Sequence, residues 1–334
     1  MYKRQGWNRS LTNNPNPRAL NISPIKKITL QSLTEAADLI RRGELVAFPT
    51  ETVYGLGADA CNDTAVAKIF EAKGRPTFNP LIVHVKNQSA AEQHATFNTL
   101  AKKIAAKFWP GALSLVLPKS RHSEVSTLAT AGLDTIALRN PTHPAALALL
   151  DRLERPIAAP SANPSGLLSP TTAEHVAQFL GSTVSLVLDG GPCPIGVEST
   201  IIDLTSKIPV LLRPGGVTVE KIIPATGALD PAEQDKIVAP GMLKSHYSPK
   251  TPIRMNATHC VAGEALLAFG PKPLVGSKYQ ENLSPSGNLI EAAGNLFRML
   301  HRLDDTQSSG IAVMPIPSEG LGLAINDRLQ RACS

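Results

Sequence analysis

Aromatic residues are scarce in this chain, 4% of 334, so it lacks the stripe of exposed rings with which single-stranded nucleic acid is stacked. Cysteine is scarcer. Cys61, Cys193, Cys260 and Cys333 lie far apart with no C-x-x-C pair, so no disulfide framework is expected and a reducing cytoplasm fits. His259 and Cys260 are neighbours, but two adjacent residues without further ligands make a poor zinc site. No apolar run approaches the roughly 20 residues that span a bilayer, and the basic start is followed by no apolar signal region, so no membrane association is expected.

Acids are missing from one stretch. Between Met1 and Lys27 stand Lys3, Arg4, Arg9, Arg18, Lys26 and Lys27 without a single Asp or Glu, and setting them aside leaves 27 bases against 27 acids. The net charge of +6 therefore sits in the first 27 residues, mostly on an Asn- and Pro-rich tail, residues 1–24, expected to be disordered, and not on a basic face of the body. Three catalytic fingerprints are also missing. Without G-x-x-x-x-G-K-[ST] any ATP site is not a P-loop, without a strand-linked G-x-G-x-x-G there is no dinucleotide fingerprint, and without G-x-S-x-G there is no nucleophile elbow.

What is present is an ordinary core composition, 43% hydrophobic, with 28 Pro and 24 Gly. That balance favours rigid loops between strands and helices, and the length favours two domains. From Ile25 short apolar runs alternate with helical patterns. Strands are expected at 44–48, 80–85, 113–117, 135–138, 157–159, 184–188, 200–204 and 210–212. Helices are expected from Asp63 or Thr64 as cap to about Ala72, around the Leu100, Ile104, Phe108 stripe, and at 144–153 and 173–180. This describes an α/β domain over 25–222 with an open twisted mixed sheet. A Pro-rich linker is expected over 223–252. A smaller α/β domain follows at 253–334, with helices at 289–303 and 324–331 and a strand at 311–314.

Four polar segments punctuated by Pro or Gly stand out: PTETVYGLG (49–57), Lys73-Gly-Arg-Pro76, Ser161-Ala-Asn-Pro164 and Glu198-Ser-Thr200. In open α/β sheets such loops line crevices beyond strand ends. Each also has a plain structural account. Cation, Gly and Pro in succession end a helix, Ser-Ala-Asn-Pro is turn chemistry, and His84 is expected to face out of the apolar PLIVHV strand as a satisfied core or rim histidine.

Taken together, PTETVYGLG, the K-x-R of Lys73 and Arg75, PLIVH, WPGALSLVL, the S-x-N of Ser161 and Asn163, GVESTIID and LLRPG run in an order that resembles the Sua5/YrdC/YciO family. The segment APGMLKSHYSP (239–249) resembles the linker of the two-domain Sua5 type, and LGLAINDR (321–328) the end of its second, Rossmann-like domain. The resemblance covers about 25–334. It implies L-threonylcarbamoyladenylate synthesis from L-threonine, bicarbonate and ATP, with Mg²⁺ arriving on ATP and no dedicated metal cage. The product then passes to a transferase complex that forms N6-threonylcarbamoyladenosine next to the tRNA anticodon; a weak direct tRNA contact is a further expectation. By matching positions, it implies Lys73 and Arg75 as catalytic contacts to carbamate and phosphate. Lys73, Ser161, Asn163, Arg213 and Tyr247 are implied for ATP. Thr50, Arg75, His84, Arg139 and Ser199 are implied for threonine. Tyr247 is implied to sit on a strap over the site. The competing reading, a non-catalytic RNA-binding module, has a neutral body and no stacking stripe against it.

Overall fold

The computed structural model describes residues 24–232, 239 and 246–333; the basic tail and most of 233–245 lie outside these, and with them those parts of the tail and linker expectations. Among the described residues the larger domain is built on one mixed sheet. Its strands are β1 (Ile25–Lys27), β2 (Val46–Phe48), β3 (Gly55–Asp59), β4 (Ile82–His84), β5 (Leu113–Pro118) and β6 (Thr135–Arg139). The remainder are β7 (Ile157–Ala158), β8 (Leu186–Asp189), β9 (Thr200–Asp203), β10 (Val210–Arg213) and β11 (Asp230–Pro231). They lie in the order β1-β8-β2-β3-β7-β4-β6-β5-β9-β10-β11. Short strands with non-sequential neighbours need helical crossovers, which pack on the sheet faces.

Those helices are α1 (Leu30–Arg41), α2 (Asp63–Lys73), α3 (Gln88–Glu92), α4 (Thr99–Phe108), α5 (Pro144–Leu153), α6 (Ala173–Leu180) and α7 (Val219–Thr226). The cap of α2 is Asn62, whose side chain accepts from Ala65 N at 3.1 Å, and not Asp63 or Thr64. Asn62 has the extended backbone a cap requires, while Asp63 is already helical. The stretch expected as a linker starts inside α7 and gives the sheet its last strand, β11, parallel to β10.

Strand alternation divides the sheet faces. Val83, Leu115, Leu117, Leu138 and Ile202 face a core covered by Val66, Ile69 and Phe70 of α2, Ile104 of α4 and Val176 of α6. On the opposite face, Val46, Phe48, Ile157 and Leu188 pack under α1 and α5. Farther along that face a small cluster joins Ile82, Val116, Ala137, Ile201, Leu212 and Ala239. Between those two apolar patches the same face is polar, and the functional site sits there.

The second domain has a four-stranded parallel sheet, order β12 (Ile253–Arg254), β15 (Gly310–Val313), β13 (Glu264–Ala268), β14 (Gln280–Asn282). Helices α8 (Leu289–Asp304) and α9 (Leu321–Ala332) accompany it. Asn288 caps α8 through bonds from Ile290 N and Glu291 N. The core of this domain takes in Val53, Leu168, Val197 and Tyr247 beside Leu296, Phe297 and Ile325, so its apolar interior continues into the wall of the larger domain. No described helix is long and apolar enough to cross a membrane.

Candidate active site

A cavity of about 50 Å³ opens on the polar stretch of the sheet face. Ile82 and His84, two apart on β4, share that face, and the register sets Arg139 of β6 opposite His84 and Ala159 beside Ile82. The site thus lies over the middle of the sheet, and not only in a crevice beyond strand ends as expected.

Thr50, Arg75, His84, Arg139, Ser161, Ser199, Arg213 and Tyr247 all line the cavity. Lys73 and Asn163 do not. Lys73 closes α2 and is buried, and its ammonium donates to Ser161 O at 2.6 Å and to Asn163 O. Burial first, and then the Arg75 guanidinium, push its pKa well below the ordinary lysine value. Gly74 follows in the left-handed conformation, φ 57°, and turns the chain so that Arg75 faces the cavity. The Asn163 amide donates to Pro164 O and Leu167 O, and its Oδ1 is buried without a partner among the described residues. Lys73 therefore braces the S-x-N loop from beneath.

Arg75 donates to Asn79 O at 3.1 Å and Pro80 O at 2.8 Å, and burial lowers its pKa to about 10. Thr50 Oγ1 donates to Val53 O at 2.6 Å and accepts from Thr52 N and Val53 N, closing a tight hydroxyl-capped turn. Arg139 holds that turn through Nη1 to Thr52 Oγ1 at 3.0 Å and Nη2 to Glu51 Oε1 at 2.5 Å. His84 does not face out. It is 2% exposed, and both ring nitrogens lack a partner among the described residues. Burial first, and then Arg139, push its pKa down to about 3, so the ring is neutral.

On the far wall, Arg213 donates to Ser199 O at 2.9 Å, and the Ser199 hydroxyl meets that of Ser114 at 2.8 Å. Gly215 makes this approach feasible: a Cβ there would lie 2.4 Å from Glu198 O. Glu198 also lines the cavity. Burial alone would raise its pKa, but the guanidinium of Arg328, followed by that of Arg213, holds it down at about 2. The roof is His246 and Tyr247. Tyr247 is 1% exposed at φ 65°, with its hydroxyl unpartnered among the described residues and its ring 5.6 Å from Phe297.

Three residues carry signals that motif reading passed over. Asn79 is fully buried with both amide atoms unpartnered among the described residues; its signal was an Asn-Pro four residues beyond Arg75. Glu198 stood inside a quoted motif without a role. Arg328 lies on the buried stripe of α9 with Ala324, Ile325 and Leu329, and a lone cation on an apolar stripe is the signal that finds it. Buried, unpaired donors and acceptors around a cationic cavity are what a polar, anionic ligand would satisfy.

A family model described as Telomere recombination, which groups Sua5, YciO and YrdC proteins, matches residues 38–215. The chain belongs to the Sua5/YrdC/YciO family. A second model, described as the C-terminal domain of threonylcarbamoyl-AMP synthase, matches residues 217–334, the two-domain arrangement of the Sua5 type. The chain is 43% identical to the threonylcarbamoyl-AMP synthase of Pyrococcus abyssi, over 89% of this chain and 92% of that protein. It is 42% identical to the one from Bacillus subtilis, over 90% and 92%. The crystal structure of P. abyssi Sua5 complexed with L-threonine superposes with a TM-score of 0.86 at 40% identity, covering 93% of this chain and 97% of that one. E. coli YciO, at 23% identity and TM-score 0.52 over 58% of this chain, shares the fold of the larger domain.

Proposed function

We propose that this chain is an L-threonylcarbamoyladenylate synthase, joining L-threonine, bicarbonate and ATP into threonylcarbamoyl-AMP with release of pyrophosphate. The observation that carries the reading is convergence. Side chains from loops and strands spread over residues 50–247 line one cavity with three guanidinium groups, from Arg75, Arg139 and Arg213, in a chain of the two-domain Sua5 type.

The reaction needs no covalent nucleophile on the protein. The threonine amine condenses with bicarbonate with loss of water, or adds to CO₂ with loss of a proton, giving a carbamate; a carbamate oxygen attacks the α-phosphorus of ATP, and the bond to the bridging oxygen breaks as pyrophosphate leaves. The protein supplies positioning and charge. Arg75 and Arg213 balance charge on phosphate and carbamate, and Ser161 donates to the nucleotide. Neutral His84, Ser199 and the Thr50 turn form the threonine end, with Arg139 fixing that turn. Lys73 and Asn163 set the geometry of the Ser161 loop. Glu51 and Glu198 are committed to Arg139 and Arg328, so the Mg²⁺ that would arrive with ATP would be held by its phosphates and not by these carboxylates. A cavity of about 50 Å³ is far below the roughly 300–1,000 Å³ of ligand sites, so the His246–Tyr247 roof lifts to admit ATP and closes to keep water from the adenylate.

The test is pyrophosphate release from ATP and bicarbonate, with and without L-threonine, in wild type and Lys73→Ala. Threonine-dependent release lowered at least tenfold by the substitution supports the reading. No release with any amino acid sinks it.

A further inference from the structure

Among the described residues lining the cavity, Glu198 is the one carboxylate, and a carboxylate facing a triphosphate is a liability unless something balances it. The balance comes from the other domain. Arg328, on α9, is 1% exposed, and its Nε donates to Glu198 Oε2 at 2.8 Å. Its Nη1 donates to Pro214 O at 2.8 Å, on the turn directly after Arg213, and to Asp327 Oδ2 at 2.7 Å. Its guanidinium carbon stands 5.3 Å from the centre of the Tyr247 ring. Nη2 is buried without a hydrogen-bond partner among the described residues. One planar fork thus touches two lining residues and the loop that carries a third, a combination a lysine ammonium cannot reproduce.

We propose that Arg328 is a positioning residue of the nucleotide site contributed by the C-terminal domain, which neutralises Glu198 so that the cavity accepts the triphosphate. Arg328 does not line the cavity and acts through Glu198. The second domain then completes the charge balance of the site, and the larger domain alone would leave Glu198 with Arg213 but without its directly bonded cation. The inference rests on the nucleotide-binding part of the function proposed above.

The experiment titrates the full-length chain with Mg²⁺-ATP, and separately with L-threonine, by calorimetry. The proteins are wild type, Arg328→Met and the double variant Arg328→Met with Glu198→Gln. Removing the cation alone is expected to weaken ATP binding about tenfold to a hundredfold, while threonine binding stays within about threefold and the double variant recovers most of the ATP loss. A folded Arg328→Met that binds ATP within about threefold of wild type overturns the proposal, as does an equal loss for threonine, or a double variant no better than the single. Should Arg328→Met not fold, the double variant, which buries no unpaired carboxylate, decides alone: near wild-type ATP affinity supports the proposal, and a tenfold loss overturns it. Wild-type protein that binds ATP yet releases no pyrophosphate with threonine would count against the synthase reading, not against this one.

Discussion

His84 meets the cavity with neither ring nitrogen bonded to any described residue and with a pKa of about 3. A ring that is neutral throughout pH 5–8 offers one donor and one acceptor and no charge. Its contribution to threonine binding is therefore expected to be independent of pH. His84→Leu removes both polar atoms and is expected to weaken threonine binding by about 1–2 kcal/mol, roughly tenfold. Calorimetry at pH 5.5, 6.5 and 7.5 checks this: the ratio of variant to wild-type Kd stays constant, whereas a ratio that grows toward acid would mean that the ring is charged. Arg139 works differently. With Nη1 on Thr52 and Nη2 on Glu51, it builds the turn that presents Thr50. Arg139→Met leaves Glu51 buried and unpaired, a loss of about 3–5 kcal/mol. A fall in Tm is therefore expected before any change in substrate preference can be measured.

At the scale of the elements, the apolar periodicities set out most strands and helices, because sheet cores and amphipathic faces are written as spacing: Leu113, Leu115 and Leu117 all fall on the helix-covered face. The site was legible as motifs, yet not as geometry. Nothing local in Lys73-Gly-Arg-Pro says that the lysine turns under the loop while Arg75 turns into the cavity; the left-handed Gly74 and the distant carbonyls of residues 161 and 163 decide that. Whether His84 is a core or a rim residue is not written in the strand, because alternation shows which side chains share a face but not whether that face is covered. It lines one cavity with His246 and Tyr247, far away in sequence. The seam between the two domains has its own test at Gly196. That residue sits at φ 73°, and a Cβ on it would lie 2.3 Å from Ala293 O and 2.6 Å from Gly294 Cα of α8. Gly196→Ala adds backbone strain to a collision with main chain that cannot swing aside, and about 2–4 kcal/mol of destabilisation is expected. Urea unfolding measures it, and a loss under about 0.5 kcal/mol, as for an ordinary surface change, would mean that the two domains are not pressed together there.

For the whole molecule, the roof, the wall and the second domain share one apolar cluster and a buried ion pair between Glu198 and Arg328, so acid acts on both domains at once. His84 and His246 each have pKa values lowered from 6.5 to about 3, with burial the first cause. The unfolded chain binds protons at these rings below pH 6.5 while the folded chain refuses them. Their contribution is complete above pH 6.5 and is lost progressively as pH falls toward 3. Glu198 has the same sign in a lower window: its carboxyl, lowered from 4.5 to about 2, contributes fully above pH 4.5 and loses that contribution as pH falls to 2. Stability should therefore begin to drop well above the carboxylate range, by up to about 1.4 kcal/mol per pH unit for each buried imidazole. Urea titrations at pH 7, 6 and 5 read this slope directly. In the variant carrying both His84→Gln and His246→Gln, which keeps polar side chains but cannot titrate, the decline between pH 6.5 and 5 is expected to become shallower, with His175, lowered by burial to about 3, keeping part of it, while the decline below 4.5 persists. A wild-type profile that is level from pH 7 to 5 would mean that these rings take up protons inside the fold, and the neutral-imidazole account of the threonine end would fall with it.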